Sequence, residues 1–465
     1  MISESVKIPL LLFLSILLSG LRAVYADTPL TAKVDKRVEL LGIVARLAGY
    51  PEYCRNDNAP YIADIHAHFD RYKTHPLIEL MRRLKKENSI GYDAVVRMAL
   101  HLGQPPGLKP IVPFTNRIPE ERWSKENAEK FIDLLRQFYA ETRCGDFFDS
   151  QHTRYEHAEK AYNKQLRHID LKWFPAYYGI NSEDTFHLIV GLGNGSNCYG
   201  LSIDRPDRTR DIFSIMGAWM FDADGNPVFT PEMLPTVVHE FGHSFANAHI
   251  RRHENDLGEA AGRIFGQVSE AMKRQAYANS TIMLSESLVR VSVIRYLLNH
   301  GDTTAATRQV KQDIAQGFLW MSKLSRLLTT YEKQRNAYPT MESFMPRIVE
   351  FFNNTADQID RWPRFVSIEE FENGDNQVDP DLKTLTIRFD RPMSGGYGFG
   401  YGPLGQEHFP LKKVNGYPND RTITIDIALK PNFEYQINLL SIGFFSTEGW
   451  PIKNTLIRFK TRSGK

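Results

Sequence analysis

His239, Glu240, Phe241, Gly242 and His243 read HEFGH, a stretch whose residue types and spacing can do chemistry on their own. On a helix, residues four apart lie on one face about 6 Å apart in rise, so two imidazoles can share one metal ion. Zinc held by two His and one carboxylate keeps a fourth position for water and lowers that water's pKa towards about 7. Glu240 stands beside the pair, where a carboxylate can take a proton as the water attacks a peptide carbonyl. Pro235 can open such a helix, and Val237, Val238, Phe241 and Phe245 give it an apolar face; the helix is predicted over about residues 235–247.

The set needs a third ligand, and two residues offer one. His249 stands at the spacing of HExxHxxGxxH, but Ala246 occupies the place where Gly would let the chain turn. In an unbroken helix His249 would lie about 9 Å beyond His243 and on another face, so a break near Asn247 would be required. Glu286, 43 residues beyond His243, falls in a predicted helix over residues 285–298 with Leu288, Val289, Val293 and Leu297 on its buried side. A carboxylate from a neighbouring helix completes a set of two His and one Glu. Arg290 could pair with Glu286 on the surface, or orient it from behind as a ligand. Glu286 is preferred and His249 is the alternative. For an oxyanion donor, Tyr199, Tyr331 and Tyr338 are candidates, each read first as an ordinary packed tyrosine. The segment around Tyr199 could offer a strand edge to an extended substrate.

The elements that must position these residues are of three kinds. From Val38 to about Leu166 the pattern is mostly helical, as in Val38, Leu40, Leu41, Val44 and Leu47, and Ser124 caps a stripe of Phe131, Leu134, Leu135 and Phe138. His66 and His68, two apart, point in different directions on a helix and are read as structural. Residues 186–190, 199–203 and 211–216 read as strands of a small antiparallel sheet, with a Gly/Asn/Ser-rich turn at 191–197 that lacks any phosphate-loop spacing. Helices return from Pro231 to about Asn353, with breaks near Asn279 and at residues 299–302. Beyond residues 358–364 come alternating strands: Leu385, Ile387, Phe389; Ile423, Ile425, Ile427; Phe433, Tyr435, Ile437, Leu439; Ile457, Phe459. These predict an all-β sandwich, and each side of the boundary carries its own apolar pattern, so a chain ending near Gln358 is expected to fold and bind metal by itself.

The chain has 465 residues, enough for two or three domains. Lys+Arg minus Asp+Glu is 57 − 55 = +2, and no basic block with interleaved aromatics occurs, which argues against nucleic acid as a partner. Lys7, the apolar residues 8–18, and Val24 and Ala26 ahead of Asp27 read as a cleavable signal over residues 1–26, directing the product to the periplasm or beyond. That run is shorter than the roughly 20 residues a span requires, and no later segment is long and apolar enough. Cys54, Cys144 and Cys198 allow one disulfide, with three pairings open, and no CxxC spacing offers a thiolate zinc site.

The stretches VVHEFGHSFAN, ESLVRVSVIRYL and YPTMESFMPRIVEFFN, together with RVELLGIVARLAGYPEY from Arg37, resemble a secreted bacterial family of zincin-like proteins long labelled only as a domain of unknown function. The resemblance runs over about residues 37–353 and implies a gluzincin-type metallopeptidase, with His239, His243 and Glu286 as zinc ligands and Glu240 as base. Residues 363–465 resemble a bacterial Ig-like domain, which implies a spacer or a docking surface for protein or glycan. The expectation is therefore a multidomain chain: signal peptide 1–26, a helix-rich α+β zincin-like core over 27–360, and an Ig-like sandwich over 363–465. Its expected function is exported, zinc-dependent hydrolysis of peptide bonds. The alternatives are a catalytically silent zincin-fold binding protein, against which the intact Glu240 argues, and a metzincin-like peptidase using His249.

Overall fold

The structure, a computed structural model, describes residues 30–55, 59–166, 169–180 and 183–464; the expected signal segment lies outside them. Strand β1 (Ala32–Val34) leads into helix α1 (Lys36–Leu47), whose first turn is capped by the Asp35 carboxylate accepting from the Arg37 N–H. Helices α2 (Pro60–Phe69), α3 (Pro76–Asn88), α4 (Asp93–Leu100), α5 (Lys125–Glu141), α6 (Cys144–Ser150), α7 (His152–Asn163) and α8 (Trp173–Tyr178) follow. Ser124 caps α5 as expected, with Phe131, Leu135 and Phe138 buried. His66 pairs with Asp70 and His68 bonds the Thr142 carbonyl, so both serve structure.

Three strands come next: β2 (Asp184–Gly191), β3 (Tyr199–Asp204) and β4 (Arg210–Gly217). The expected antiparallel sheet is instead a mixed one, in the order β1-β2-β4-β3. Strand β2 runs parallel to both β1 and β4, and only β3 and β4 form a hairpin. The turn after β2 carries the chain past the place of β4 to the sheet edge, and a long-range contact holds it there. Buried Glu39 of α1 accepts from the Leu192 and Gly193 N–H groups at 2.7 and 3.0 Å, and from the Tyr61 hydroxyl at 2.7 Å. Local periodicity carries no signal of such a contact.

The second helical stretch comprises α9 (Leu234–Arg252), α10 (Glu254–Arg274), α11 (Ser280–Asn299), α12 (Thr303–Ala315), α13 (Met321–Lys333) and α14 (Met341–Asp357). Asn279 and Asp302 cap α11 and α12 where breaks were expected. Helix α11 is buried on every side, the mark of a helix at the centre of a core. Its polar residues are partnered accordingly: Ser292 bonds the Tyr178 hydroxyl at 2.7 Å, and Ser287 accepts from the Trp320 indole at 3.1 Å. No helix among the described residues is long and apolar enough to cross a membrane. Cys54, Cys144 and Cys198 are not joined to one another, so the disulfide that their number allowed is not formed.

The C-terminal part is built from β5 (Phe365–Ile368), β6 (Thr384–Phe389), β7 (Phe399–Gly400), β8 (Leu411–Asn419), β9 (Thr422–Ile427), β10 (Glu434–Leu439) and β11 (Thr455–Lys460). Two antiparallel sheets, β5-β6-β9-β8 and β11-β10-β7, share one core. Leu385, Ile387, Ile423 and Ile425 enter it from one sheet, and Tyr435, Ile437, Ile457 and Phe459 from the other. The separation from the helical part is less complete than the apolar patterns suggested. Trp450 of the C-terminal part is buried in the helical core beside Trp362, 5.8 Å between ring centres, and the Lys323 ammonium lies 4.5 Å over its ring. A chain ending near Gln358 would strip that cover from the helices.

Candidate metal centre

Helix α9 is longer than the motif required and runs unbroken through Asn247 to Arg252. It is clamped under the sheet at its centre. Gly200 of β3 faces the α9 backbone so closely that an added Cβ would stand 1.8 Å from the Glu240 carbonyl oxygen and 2.8 Å from its Cα. No side chain fits there, because both partners are main chain. Gly200→Ala is therefore expected to cost about 1–3 kcal/mol of unfolding free energy, read from urea or thermal unfolding; an unchanged midpoint would mean that β3 does not press on α9. Arg210 fastens the same sheet further along α9, bonding Asp184 at 2.7 Å and the Ser244 carbonyl at 3.1 Å while its guanidinium covers Phe245.

Helix α11 crosses beside α9 and brings Glu286 to the two histidines. Glu286 Oε2 lies 3.4 Å from His239 Nε2, and Oε1 lies 3.5 Å from His243 Nε2. The imidazoles stand edge to face, 4.8 Å between centres, and one donor atom from each of the three residues falls within 4.8 Å of the others. Each imidazole nitrogen faces a different carboxylate oxygen, and each of these two spacings is close to that between zinc ligands. Ligands about 2.0–2.1 Å from a tetrahedral zinc stand roughly 3.3–3.4 Å from each other. Among the described residues, no other group of three such side chains comes this close.

The donors are oriented from behind. His243 Nδ1 faces Asn247 Oδ1 at 3.3 Å, which makes Nδ1 the donor and leaves Nε2 turned to the centre. The Tyr277 hydroxyl donates to Glu286 Oε2 at 2.9 Å, and Arg290 Nη2 donates to that hydroxyl at 3.0 Å. Arg290 also lies beside the carboxylate itself, Nε to Oε2 3.5 Å, so the Glu286–Arg290 pair is buried rather than exposed. Its Nη1 donates to Asp313 at 2.7 Å and to Gln316 at 2.5 Å, and its plane covers Phe318.

Burial pulls His239 down to about 4 against the attraction of Glu286. Burial alone would raise Glu286, but the charge and hydrogen bond of His239, with the charges of His243 and Arg290, hold it well below 4.5. An unprotonated imidazole facing an ionised carboxylate is the state that a divalent cation needs. Glu240 is also buried, and burial together with the Glu286 charge pushes it well above 4.5. A bound cation would reverse that push, since it becomes the largest local charge.

His249 is nowhere near this set. The unbroken helix carries it to another face, where it is buried against Tyr178, 6.0 Å between parallel rings, with Nδ1 2.6 Å from Glu342 of α14. Arg252 and His253 join the same carboxylate, tying the end of α9 to the start of α14. Of the three tyrosines considered, Tyr331 donates to the Tyr177 carbonyl, Tyr338 packs on Phe344, and Tyr199 is buried beside Tyr53. Tyr277, absent from the sequence reading, is the tyrosine that touches a site residue. It lies in the loop between α10 and α11, and nothing in its local pattern sets it apart.

Residues 112–351 match the profile of a domain of unknown function, DUF4932. No curated protein matches the chain. Among solved structures, it is similar to surface layer protein SbsC, domains 1-6, at 14% identity over 49% of this chain and 34% of that one, TM-score 0.18. It is also similar to the N-terminal part of the bacterial S-layer protein SbsC, at 12% identity over 53% and 60%, TM-score 0.17. A third, the S-layer protein rSbsC(31-844), is 12% identical over 84% and 46%, TM-score 0.18. The chain thus spans between about a third and three fifths of the proteins it matches.

Proposed function

The chain belongs to the DUF4932 family, and we propose that it is an exported, zinc-dependent metallopeptidase of gluzincin type. The observation that carries this reading is the meeting of His239, His243 and Glu286 from two helices, with one donor atom of each within 4.8 Å of the others and each imidazole nitrogen 3.4–3.5 Å from a Glu286 oxygen. Two nitrogens and one oxygen suit zinc, and three protein ligands leave the fourth position open. Zinc held there would polarise a peptide carbonyl and make water a nucleophile near neutral pH.

The chain's own groups do the rest. Glu240 takes the proton of the attacking water and returns it to the leaving amine nitrogen. Asn247 keeps the His243 ring turned with Nε2 to the centre, and Tyr277 and Arg290 fix the Glu286 carboxylate. The clamp of β3 on α9 at Gly200 holds Glu240 beneath the sheet. Export rests on the pattern of residues 7–26, and a docking role of the C-terminal part rests on its Ig-like sequence and two-sheet build.

The test is metal analysis of the purified protein alongside digestion of a diverse peptide pool. About one zinc per chain is expected, with cleavage that a chelator abolishes, and His239→Ala with His243→Ala should lose most of the metal. Stoichiometric zinc in that double variant would remove the assignment. A zinc-loaded chain inert towards every pool would instead make it a binding protein on the same scaffold.

A further inference from the structure

The turn that ends α12 is gripped from both sides. On one side, the side chains of Asp313 and Gln316 accept from the Arg290 guanidinium at 2.7 and 2.5 Å. On the other, the carbonyls of Ile314 and Ala315 accept from the C-terminal part: Ser441 Oγ donates to Ile314 at 3.3 Å, and Asn454 Nδ2 to Ala315 at 3.3 Å. Ser441 and Asn454 are themselves locked together, the Ser441 N–H donating to Asn454 Oδ1 at 2.7 Å. The Gln316 carbonyl, finally, accepts from Gln275, two residues before the tyrosine that bonds Glu286.

Four consecutive residues therefore connect the C-terminal β-sheets to the third ligand. Such a turn has little freedom of its own. Gly317 continues it at φ +103, and a side chain there would meet Ala271 of α10 at 2.7 Å. Asp313 is fully buried, so its carboxylate depends on Arg290, and Arg290 in turn sets the position of Glu286. Ser441 is buried as well, which shields its bond to Ile314 from competition by water.

We infer that Ser441 and Asn454 are positioning residues for the metal centre, acting through residues 313–316 and Arg290 on Glu286, so that the C-terminal part is a component of the site rather than a spacer. The inference rests on the metal reading above, and goes beyond it by assigning a role to a segment outside the matched domain.

The experiment uses the full chain and reads zinc affinity by competition with a fluorescent chelator, with the visible spectrum of the cobalt-loaded protein as a second readout. Asn454→Asp keeps the acceptor for Ser441 but sets a carboxylate against the Ala315 carbonyl; as an exposed residue it leaves the core intact. Alone, and more so with Ser441→Ala, it should weaken zinc about 3–10-fold and shift the cobalt bands. That is below the roughly 10–100-fold loss of an outer partner in direct contact with a ligand, because the effect travels further. Gln316→Ala should weaken zinc similarly, and adding Asn454→Asp to it should cost nothing more, as for residues on one path. Lys453→Met removes a contact of the same surface to Gln267 of α10 and should leave affinity within twofold.

Unchanged zinc affinity and cobalt bands in Asn454→Asp/Ser441→Ala would overturn the inference while leaving the metal centre standing. An equal loss in Lys453→Met would overturn it too, by showing general loosening of the interface. A wild-type chain that binds neither ion would overturn the metal reading and this inference together.

Discussion

Glu240→Gln is expected to keep its zinc and its melting temperature while peptide cleavage falls at least ~10²-fold, the lower end of what a general base supplies. The substitution preserves size and planarity in a buried place, so packing under β3 is retained. It also replaces a buried acid by a neutral amide, which spares the chain a desolvated charge beside Glu286. What is lost is the basic oxygen. Comparing kcat/KM of wild type and variant on one peptide, with metal content measured on the same samples, separates loss of the base from loss of the ion. Equal, chelator-sensitive activity in both would show that another group is the base.

The second large effect distinguishes the two candidates for third ligand. Glu286→Ala should raise the dissociation constant for zinc by at least ~10²-fold, since losing a ligand exceeds the loss of an outer partner. The same change leaves the Tyr277 hydroxyl and Arg290 facing an empty space, so some stability should go with it. His249→Ala should do the opposite. Zinc affinity should hold within about twofold, while removal of a buried ring from between Tyr178 and Glu342 costs about 2–4 kcal/mol, read from chemical unfolding. Zinc lost with His249 and kept without Glu286 would place the centre elsewhere on α9.

The HEFGH spacing was legible because an i,i+4 pair on a helix is a local geometry, and Phe241 and Phe245 show in the same few residues which face is inward. Helix ends at Asn279 and Asp302 were legible for a similar reason, since a cap is a bond between near neighbours. The β strands after residue 364 follow from period-two alternation, and the tight turn between β8 and β9 joins neighbours, whereas the pairing of β6 with β9 across the intervening β7 and β8 was left to the fold. The preference for Glu286 over His249 likewise rested on a local feature, the absence of a turn residue at Ala246.

What tertiary structure alone decided has one physical cause: the contacts involved join residues far apart in sequence, at distances that no periodicity encodes. Glu39 holding Leu192 and Gly193 turned an expected antiparallel sheet into a mixed one. Tyr277 reaches Glu286 from an irregular loop, where no repeat exists to mark it. Trp450 left one apolar pattern to complete the core of another. In the same way Asp313 and Gln316 look like ordinary polar positions on an amphipathic helix, until the fold closes Arg290 over them. The sequence by itself determined the His239–His243 pair and the helix that presents it, and left the third residue between Glu286 and His249. Only packing determined what holds a Glu286 oxygen 3.4–3.5 Å from each imidazole nitrogen, because burial of charge forces each group to find partners wherever in the chain they lie.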